Sequence, residues 1–506
     1  MHARIARVSS PSVPSPPGEH PEAGPRAVQI AAARPTPAPS WNDPTVARAS
    51  QAIGGPIGRY AAASRTWSPL VVLLMVTGFT LLLAFAQKSP CANADWHNND
   101  QYTRVCYSDI IPLWSTESLD VGDVPYRDHA VEYPAVTGGY MWLTAQGVHA
   151  LRSVSTGLQP VVLFGLLTDV GLAICALLIT YFAMGTTSRR PWDAAIFAAS
   201  PLLIFHAFSN WDLLAMTFTA AAMWAWSRER TIAAGALIGL GAAAKLYPAL
   251  LLVGIVALAI RTGRHRAAAW CSATALVAWL AVNLPIALAY NTGWRQFFAF
   301  NFTRSTEWDT IWGMGYAALH NGVFTAWEPP GLAVAGLTIV GELAVMFLAL
   351  RAPRRPRLAQ LMFLAVLVFL FTNKIWSRQY SLWLLPLIAA ARPKWRITLI
   401  WQFSEIVVWI VFLQYLLGLG DSNRTFGYGW LVLVVLIRDG VLLVIAGLVV
   451  RDVWFPDLDV VRSDGLDDPG GGPFDGAPDV VVIAARTSGY GQFTDEELAE
   501  PGPPPP

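Results

Sequence analysis

From Ser68 to about Val449 the chain repeats one pattern: apolar runs, most of them long enough to approach the roughly 30 Å of a bilayer's hydrocarbon, separated by short polar connectors. That pattern leaves few folds open. Lipid offers no hydrogen bonds, so every backbone N–H and C=O must be satisfied internally, and runs of this length do so as helices. Composition agrees: 54% of the 506 residues are hydrophobic, only 14% are charged, and 22 are Trp, which fits a bilayer protein rather than several soluble domains. The net charge of +1, from 35 basic and 34 acidic residues, provides no basic field for a nucleic-acid partner, and that class is excluded. The expected fold class is an all-α polytopic membrane protein.

The connectors carry a sidedness. Ser188 to Arg190, Arg228 to Arg230, Arg261 to Arg266 (RTGRHR), Arg351 to Arg357 (RAPRRPR) and Arg392 to Arg396 (RPKWR) are basic, and by the positive-inside rule cytoplasmic. The exported side then receives Lys88 to about Tyr133, the Ser209-Asn210 junction, the Tyr247 region, Asn291 to about Pro330, Asn373 to Arg378, and Gly418 to Gly427. Spans are threaded through these points at 68–87, 159–183, 192–208, 211–226, a hairpin 231–261, 267–290, 331–350, 358–372, 379–391, 397–418 and 427–449. With the hairpin counted as two, that makes about twelve transmembrane helices in a multi-pass plasma-membrane protein with both termini cytoplasmic. Ala135 to Leu151 is apolar too, but a further crossing would export Arg189 and Arg190, so it reads as an interfacial helix anchored by Tyr140, Trp142 and Arg152. Several spans are short. Half-length helices occur where their ends line a wet cavity, and the short ones here turn at Asn210 and Lys245.

Three domains follow. Residues 1–66, with segments such as PSVPSPPGEHPEAGP, have too few large apolar residues for a core and read as a disordered cytoplasmic arm. Residues 67–451 form the transmembrane domain, with outer loops 88–158 and 291–330. Residues 452–506 turn acidic and Gly/Pro-rich and read as a disordered tail. Of the four cysteines, Cys175 and Cys271 lie in apolar runs and suit packing. Cys91 and Cys106 share one polar loop on the oxidising side and are expected as a disulfide, two free thiols being the alternative.

Chemistry concentrates on the outer side. The first loop, CYSDIIPLWSTESLDVGDVPYRDHAVEYP, holds Asp109, Glu117, Asp120, Asp123, Asp128 and Glu132 among aromatics and prolines. Most such carboxylates are solvated loop charges. Asp109 differs, flanked by Tyr107, Ile110, Ile111 and Pro112, a semi-apolar setting that suits a general base. Lys245, in GLGAAAKLYPALLL, sits between two apolar arms, where an ammonium needs an anionic partner such as phosphate or must snorkel to the interface. Asn373 to Tyr380 (NKIWSRQY) supplies two cations, amides and two rings, a set that suits a phosphate and a sugar face or, equally, an interfacial anchor. Asn210-Trp211-Asp212 is a weaker instance of the same type. No phosphate-binding glycine loop, dinucleotide fingerprint, HExxH or CxxC occurs in a fitting context, so ATP-driven transport and zinc hydrolysis lose their usual warrant and no cofactor is required.

The ordered set of Tyr107-Ser108-Asp109, Tyr126 to Pro134 (Tyr-x6-Tyr-Pro), Lys245 to Pro248 (KLYP) and Trp376 to Pro386 resembles GT-C-fold glycosyltransferases. The likeness is closest to the bacterial polyprenol-phosphate-mannose-dependent α-1,2-mannosyltransferase group, glycosyltransferase family 87, over roughly residues 68–450. It implies a GT-C-like bundle with a large first outer loop. It also implies a sugar, in this group mannose, passed from a polyprenyl-phosphate donor to an envelope glycolipid or glycan, with membrane lipid as surroundings. Carried over residue by residue, Asp109 is the base, and Lys245, Tyr247, Trp376, Arg378, Gln379, Tyr380, Asn210, Asp212, Tyr126 and Tyr133 belong to the donor or substrate site. Two departures, Tyr133-Pro134-Ala135 in place of two prolines and Arg378-Gln379 in place of a frequent histidine, bear on the sugar and the acceptor. The competing classes are a secondary transporter or lipid flippase and a non-catalytic scaffold of envelope assembly. Transporters usually carry ionisable residues at the midplane in repeated halves, whereas here they gather on the outer loops.

Overall fold

The computed structural model describes residues 67–92, 99–151, 157–187, 189–320, 327–420, 426–463, 465 and 467–483; the expected arm 1–66 lies outside them. Among the described residues six helices are long and apolar enough to cross a membrane. These are α1 Pro69–Lys88, α2 Pro160–Thr186, α3 His265–Ala289, α4 Gly331–Arg351, α5 Trp395–Gly420 and α6 Tyr428–Trp454. Their starts follow local rules. Ser68 accepts a hydrogen bond from the Val71 amide while Pro69 opens α1, and Pro160 opens α2, where a missing N–H costs nothing.

The remaining apolar runs are shorter pieces packed between these helices. Thr231–Ala242 and Leu251–Thr262 are the arms of the expected hairpin, and Asp212–Ser227 and Leu358–Thr372 stand beside them. Two expected spans are broken. The run 192–208 divides into a 3-10 turn Pro191–Ala194, a helical turn Ala195–Ala198 and a helix Pro201–His206, because Pro201 has no N–H to continue the ladder; Ser200 bonds to Gln402 at 2.7 Å instead. The run 379–391 begins as a 3-10 helix, Arg378–Trp383, and becomes α-helical only at Leu384–Ala391. Ala135–Leu151 is a helix of 17 residues, fixed by the Tyr140 hydroxyl on the Thr168 carbonyl at 2.9 Å.

Close packing explains the glycines of the hairpin. At Gly235 and Gly239 a Cβ would collide with the carbonyls of Cys271 and Ala275 on α3, so only glycine lets the two backbones approach this closely. Thr77 and Thr180 join α1 to α2 side chain to side chain at 2.8 Å.

The acidic C-terminal segment corrects the expectation of a disordered tail from residue 452. The described residues among 456–483 form a strap laid across the basic connectors. Arg357 binds Asp459 at 2.6 Å, Arg261 binds Asp479 at 2.6 Å and Arg355 pairs with Asp467, while Asp452, still in the last turn of α6, binds Arg392 at 2.9 Å. The Leu358 amide donates to Asp468 at 2.8 Å, and the Trp226 indole donates to the Gly471 carbonyl at 2.9 Å with Phe474 against its ring. The segment is low in apolar residues, and its order comes from long-range ion pairs that local composition does not reveal. α4 spans about 30 Å by its 21 residues, so its Arg351 end and the strap lie at the opposite end of the bundle from the loop that precedes Gly331.

Candidate active site

The described segments 107–134, 209–210, 245–247, 297–308 and 369–383 meet around one cavity of about 980 Å³. Most of this lining comes from stretches that connector charge assigned to one side; Phe369 and Gln379 to Trp383 come from the ends of the expected spans 358–372 and 379–391. Loop 1 is stitched to the Asn210 turn through its backbone: the Asp109 N–H donates to the Ser209 carbonyl at 2.9 Å, and the Ser108 hydroxyl to the Phe208 carbonyl at 2.7 Å. That places Asp109, half-buried, on the cavity wall at the start of the helix Ile110–Thr116.

Asp109 is held by donors from three segments. Asn210 Nδ2 donates to Oδ2 at 2.8 Å, Gln379 Nε2 donates to the same oxygen at 3.3 Å, and the Tyr107 hydroxyl bonds to the carboxylate. Burial, and next the Asp109 charge, push the Tyr107 hydroxyl above its ordinary range, so it stays a donor. Asn210 also donates to the Tyr133 hydroxyl at 2.9 Å, and Tyr133 meets Trp211 edge-on.

On the next part of the wall Lys245 Nζ pairs with Asp212 at 2.9 Å and lies 4.8 Å from the Tyr380 ring centroid. Asp212 itself stands behind the wall, accepting from the Trp383 indole at 2.7 Å. Tyr247, Trp383 and Tyr380 form one continuous face-to-face stack, with centroids 4.2 and 4.1 Å apart; Tyr247 and Trp383 are buried in it, and Tyr380 is its outermost ring. Lys245 is therefore anchored by an internal carboxylate rather than left unpaired.

The second outer loop adds residues that the motif reading passed over. Arg378 lies between Glu307 at 3.2 Å and Asp309 at 2.9 Å, its guanidinium 3.6 Å over the Phe412 ring. Arg304 shares Glu307, at 2.8 Å. Burial pushes Glu307 above the usual carboxylate range against the pull of Arg378 and Arg304, and it does the same to Glu132, again against Arg304. The available signal was the density of charge among aromatics in FFAFNFTRSTEWD, within a long outer loop.

Besides Asp212, three expected residues lie off the cavity. Trp376 is off the cavity, buried under the Arg438 guanidinium, 3.8 Å from its ring. Lys374 turns away and donates to the Phe302 carbonyl at 2.8 Å. Tyr126 is buried beside the cavity, its hydroxyl on the Tyr133 carbonyl at 3.0 Å; its backbone has φ 69° and leaves no room for a side chain at Gly293. The extended segment before the 3-10 turn explains the first two: side chains alternate along it, so Asn373, Ile375 and Ser377 line the cavity while Lys374 and Trp376 point the other way, and the turn then presents Arg378, Gln379 and Tyr380. Cys91 and Cys106 form a disulfide with Cα atoms 5.7 Å apart, tying the end of α1 to the strand of chain that leads to Asp109.

A polar, aromatic-lined chamber enclosed at one end of a bundle of apolar helices, with a carboxylate pre-oriented on its wall, defines a polytopic membrane protein built to act on a ligand at that end. The sequence profile of glycosyltransferase family 87, a GT-C family that uses polyprenol-phosphate mannose, matches residues 150–373. Residues 150–373 therefore carry a glycosyltransferase family 87 domain, within a chain that has several helices long and apolar enough to cross a membrane. The matched segment contains Asn210, Lys245, Tyr247, Arg304 and Glu307; Asp109 precedes it, and Arg378 to Trp383 follow it. No curated protein matches the chain at significant similarity.

Proposed function

We propose that this protein transfers a sugar, mannose in the first instance, from a polyprenyl-phosphate donor to a hydroxyl of an envelope glycolipid or glycan on the exported face of the plasma membrane. The observation that carries the reading is Asp109, held on the cavity wall by Asn210 and Gln379 beside the Lys245 and aromatic wall. A lipid-linked donor keeps its tail in the bilayer and offers its anomeric carbon at the interface, where the cavity opens.

Asp109 takes the proton of the acceptor hydroxyl as that oxygen attacks the anomeric carbon from the face opposite the phosphate, so configuration inverts. Asn210, Gln379 and Tyr107 orient the carboxylate. Tyr380, the outermost ring of the Tyr247–Trp383–Tyr380 stack, flanks the sugar, and Lys245, held over it, contributes positive potential. Arg378, clamped by two carboxylates, braces the wall. In this reading the broken and short segments pair into full crossings, giving about twelve with both termini cytoplasmic.

The test supplies radiolabelled polyprenyl-phosphate mannose, or the arabinose analogue, to membranes containing the protein. Label appearing in a glycolipid or glycan supports the proposal. A donor left intact with every acceptor tried, alongside movement of lipid or solute across the membrane, would transfer the case to the transporter class.

A further inference from the structure

We infer that Arg304 is the side chain that takes up the negative charge developing on the donor phosphate as the sugar leaves, with Glu307 and Arg378 as its resting seat. The inference rests on the lipid-phosphate donor proposed above and concerns the leaving-group half of the same reaction.

The chemistry defines what is needed. The acceptor O–H proton passes to Asp109, the acceptor oxygen bonds to the anomeric carbon, and the bond from that carbon to the phosphate oxygen breaks with its electron pair. A phosphodiester with one negative charge thus departs as a phosphomonoester with two, while Asp109 loses its charge. One unit of negative charge moves across the cavity, and a cation able to strengthen its contact at that moment lowers the barrier, whereas one bound equally throughout does not.

Among the described residues three cations line the cavity. Lys245 is 8% exposed, tied to Asp212 and packed on rings. Arg378 is held by Glu307 and Asp309 from two directions with Phe412 across its face, so it cannot move without abandoning two carboxylates. Arg304 is different. Its side chain is 34% exposed, and its ion-pair partner is the single carboxylate of Glu307, which Arg378 already shares.

When Arg304 turns toward a phosphate, Glu307 keeps Arg378 and no buried carboxylate is left unpaired, so the change of partner is cheap. The position suits the task in two further respects. Arg304 caps the helix Asn291–Thr303, whose C-terminal carbonyls favour a cation there. Its charge also reaches Glu132 and Tyr380, which line the same cavity. A guanidinium, with paired donors matched to phosphate oxygens, is the side chain this role calls for.

The experiment measures steady-state transfer from polyprenyl-phosphate mannose by the full-length protein in membranes, comparing wild type with Arg304→Gln, Arg304→Lys and Arg304→Ala. Arg304→Gln is expected to lower kcat about 10²–10³-fold, the usual effect of removing a donor that acts on transition-state charge. Donor KM should move far less, since the resting partner is Glu307. Arg304→Lys should recover part of the rate, and free guanidinium should raise the rate of Arg304→Ala without affecting wild type, which a merely structural arginine would not show. Active wild type with full-rate Arg304→Gln, or a defect confined to KM, or no response of Arg304→Ala to guanidinium, overturns the role of Arg304 and leaves the donor assignment standing. Wild-type membranes that consume no lipid-phosphate sugar overturn the donor assignment itself, and this inference with it.

Discussion

Asn210 donates from Nδ2 to Oδ2 of Asp109 over 2.8 Å, joining two residues 101 apart in the chain, and the same nitrogen holds the Tyr133 hydroxyl at 2.9 Å. Asn210 thus fixes the direction of the carboxylate. Asn210→Ala should lower kcat by about 10²-fold through misplacement of Asp109, with donor KM little changed. Asn210→Asp sets a second carboxylate against the first, so one of the pair must bind a proton more tightly. Its pH–rate profile should move to higher pH. A profile unchanged from wild type in Asn210→Asp would show that Asn210 does not control Asp109.

The strap is testable without reference to activity. Arg357 is 1% exposed, and Asp459 supplies two of its hydrogen bonds, at 2.6 and 3.0 Å. Asp459→Asn strands a buried guanidinium, and the cost should be about 3 kcal/mol or more. Thermal unfolding of the detergent-solubilised protein should show a clear fall in Tm, and removal of residues 456–483 a larger one. An unchanged Tm in the truncated protein would mean that the strap holds nothing together.

Glu117, in the first outer loop, carries a pH signature. Burial, with Glu132 adding to it, raises its carboxyl to about 7, and His129 Nε2 lies 3.3 Å away. The folded loop binds a proton more tightly than the unfolded chain, where a glutamate titrates near 4.5. Its contribution is therefore fully present below the unfolded value and is lost as pH rises through about 7. Hydrogen exchange of residues 117–132 should speed up between pH 4.5 and about pH 7 beyond the intrinsic rise, and Glu117→Gln should remove that excess. An excess that persists in Glu117→Gln would assign the effect to His129 or Glu132.

What was legible in the sequence follows from which forces are local. Length and hydropathy determine helices such as α1, α2 and α6, because the bilayer imposes the requirement residue by residue. The sidedness of the connectors, read from arginines alone, grouped the segments that now line the cavity, and Asp109 stood out by its apolar flanks. Side-chain direction was not legible. Trp376 and Arg378 are two residues apart, yet Trp376, in the extended segment before the 3-10 turn, lies beneath Arg438, and Arg378, the first residue of the turn, faces the cavity. Nor was Arg304, whose significance depends on Glu307 being shared with Arg378, a relation set by the fold. The strap was missed for the same reason: Asp459, Asp468 and Asp479 look like solvated tail charges until the arginines they meet are in place.

Whether Asp109 deprotonates the acceptor is decided by transfer of radiolabelled mannose from its polyprenyl-phosphate donor by equal amounts of membrane-inserted wild type and Asp109→Asn. The substitution keeps the shape of the side chain and removes its basicity, so kcat should fall by about 10²–10⁴ with donor binding retained. Lys245→Ala should instead weaken donor binding as well, and Asp120→Asn and Asp123→Asn, from the same loop, should remain close to wild type. Near-full activity in Asp109→Asn, with Asp128 or Glu132 proving essential in its place, would contradict the assignment.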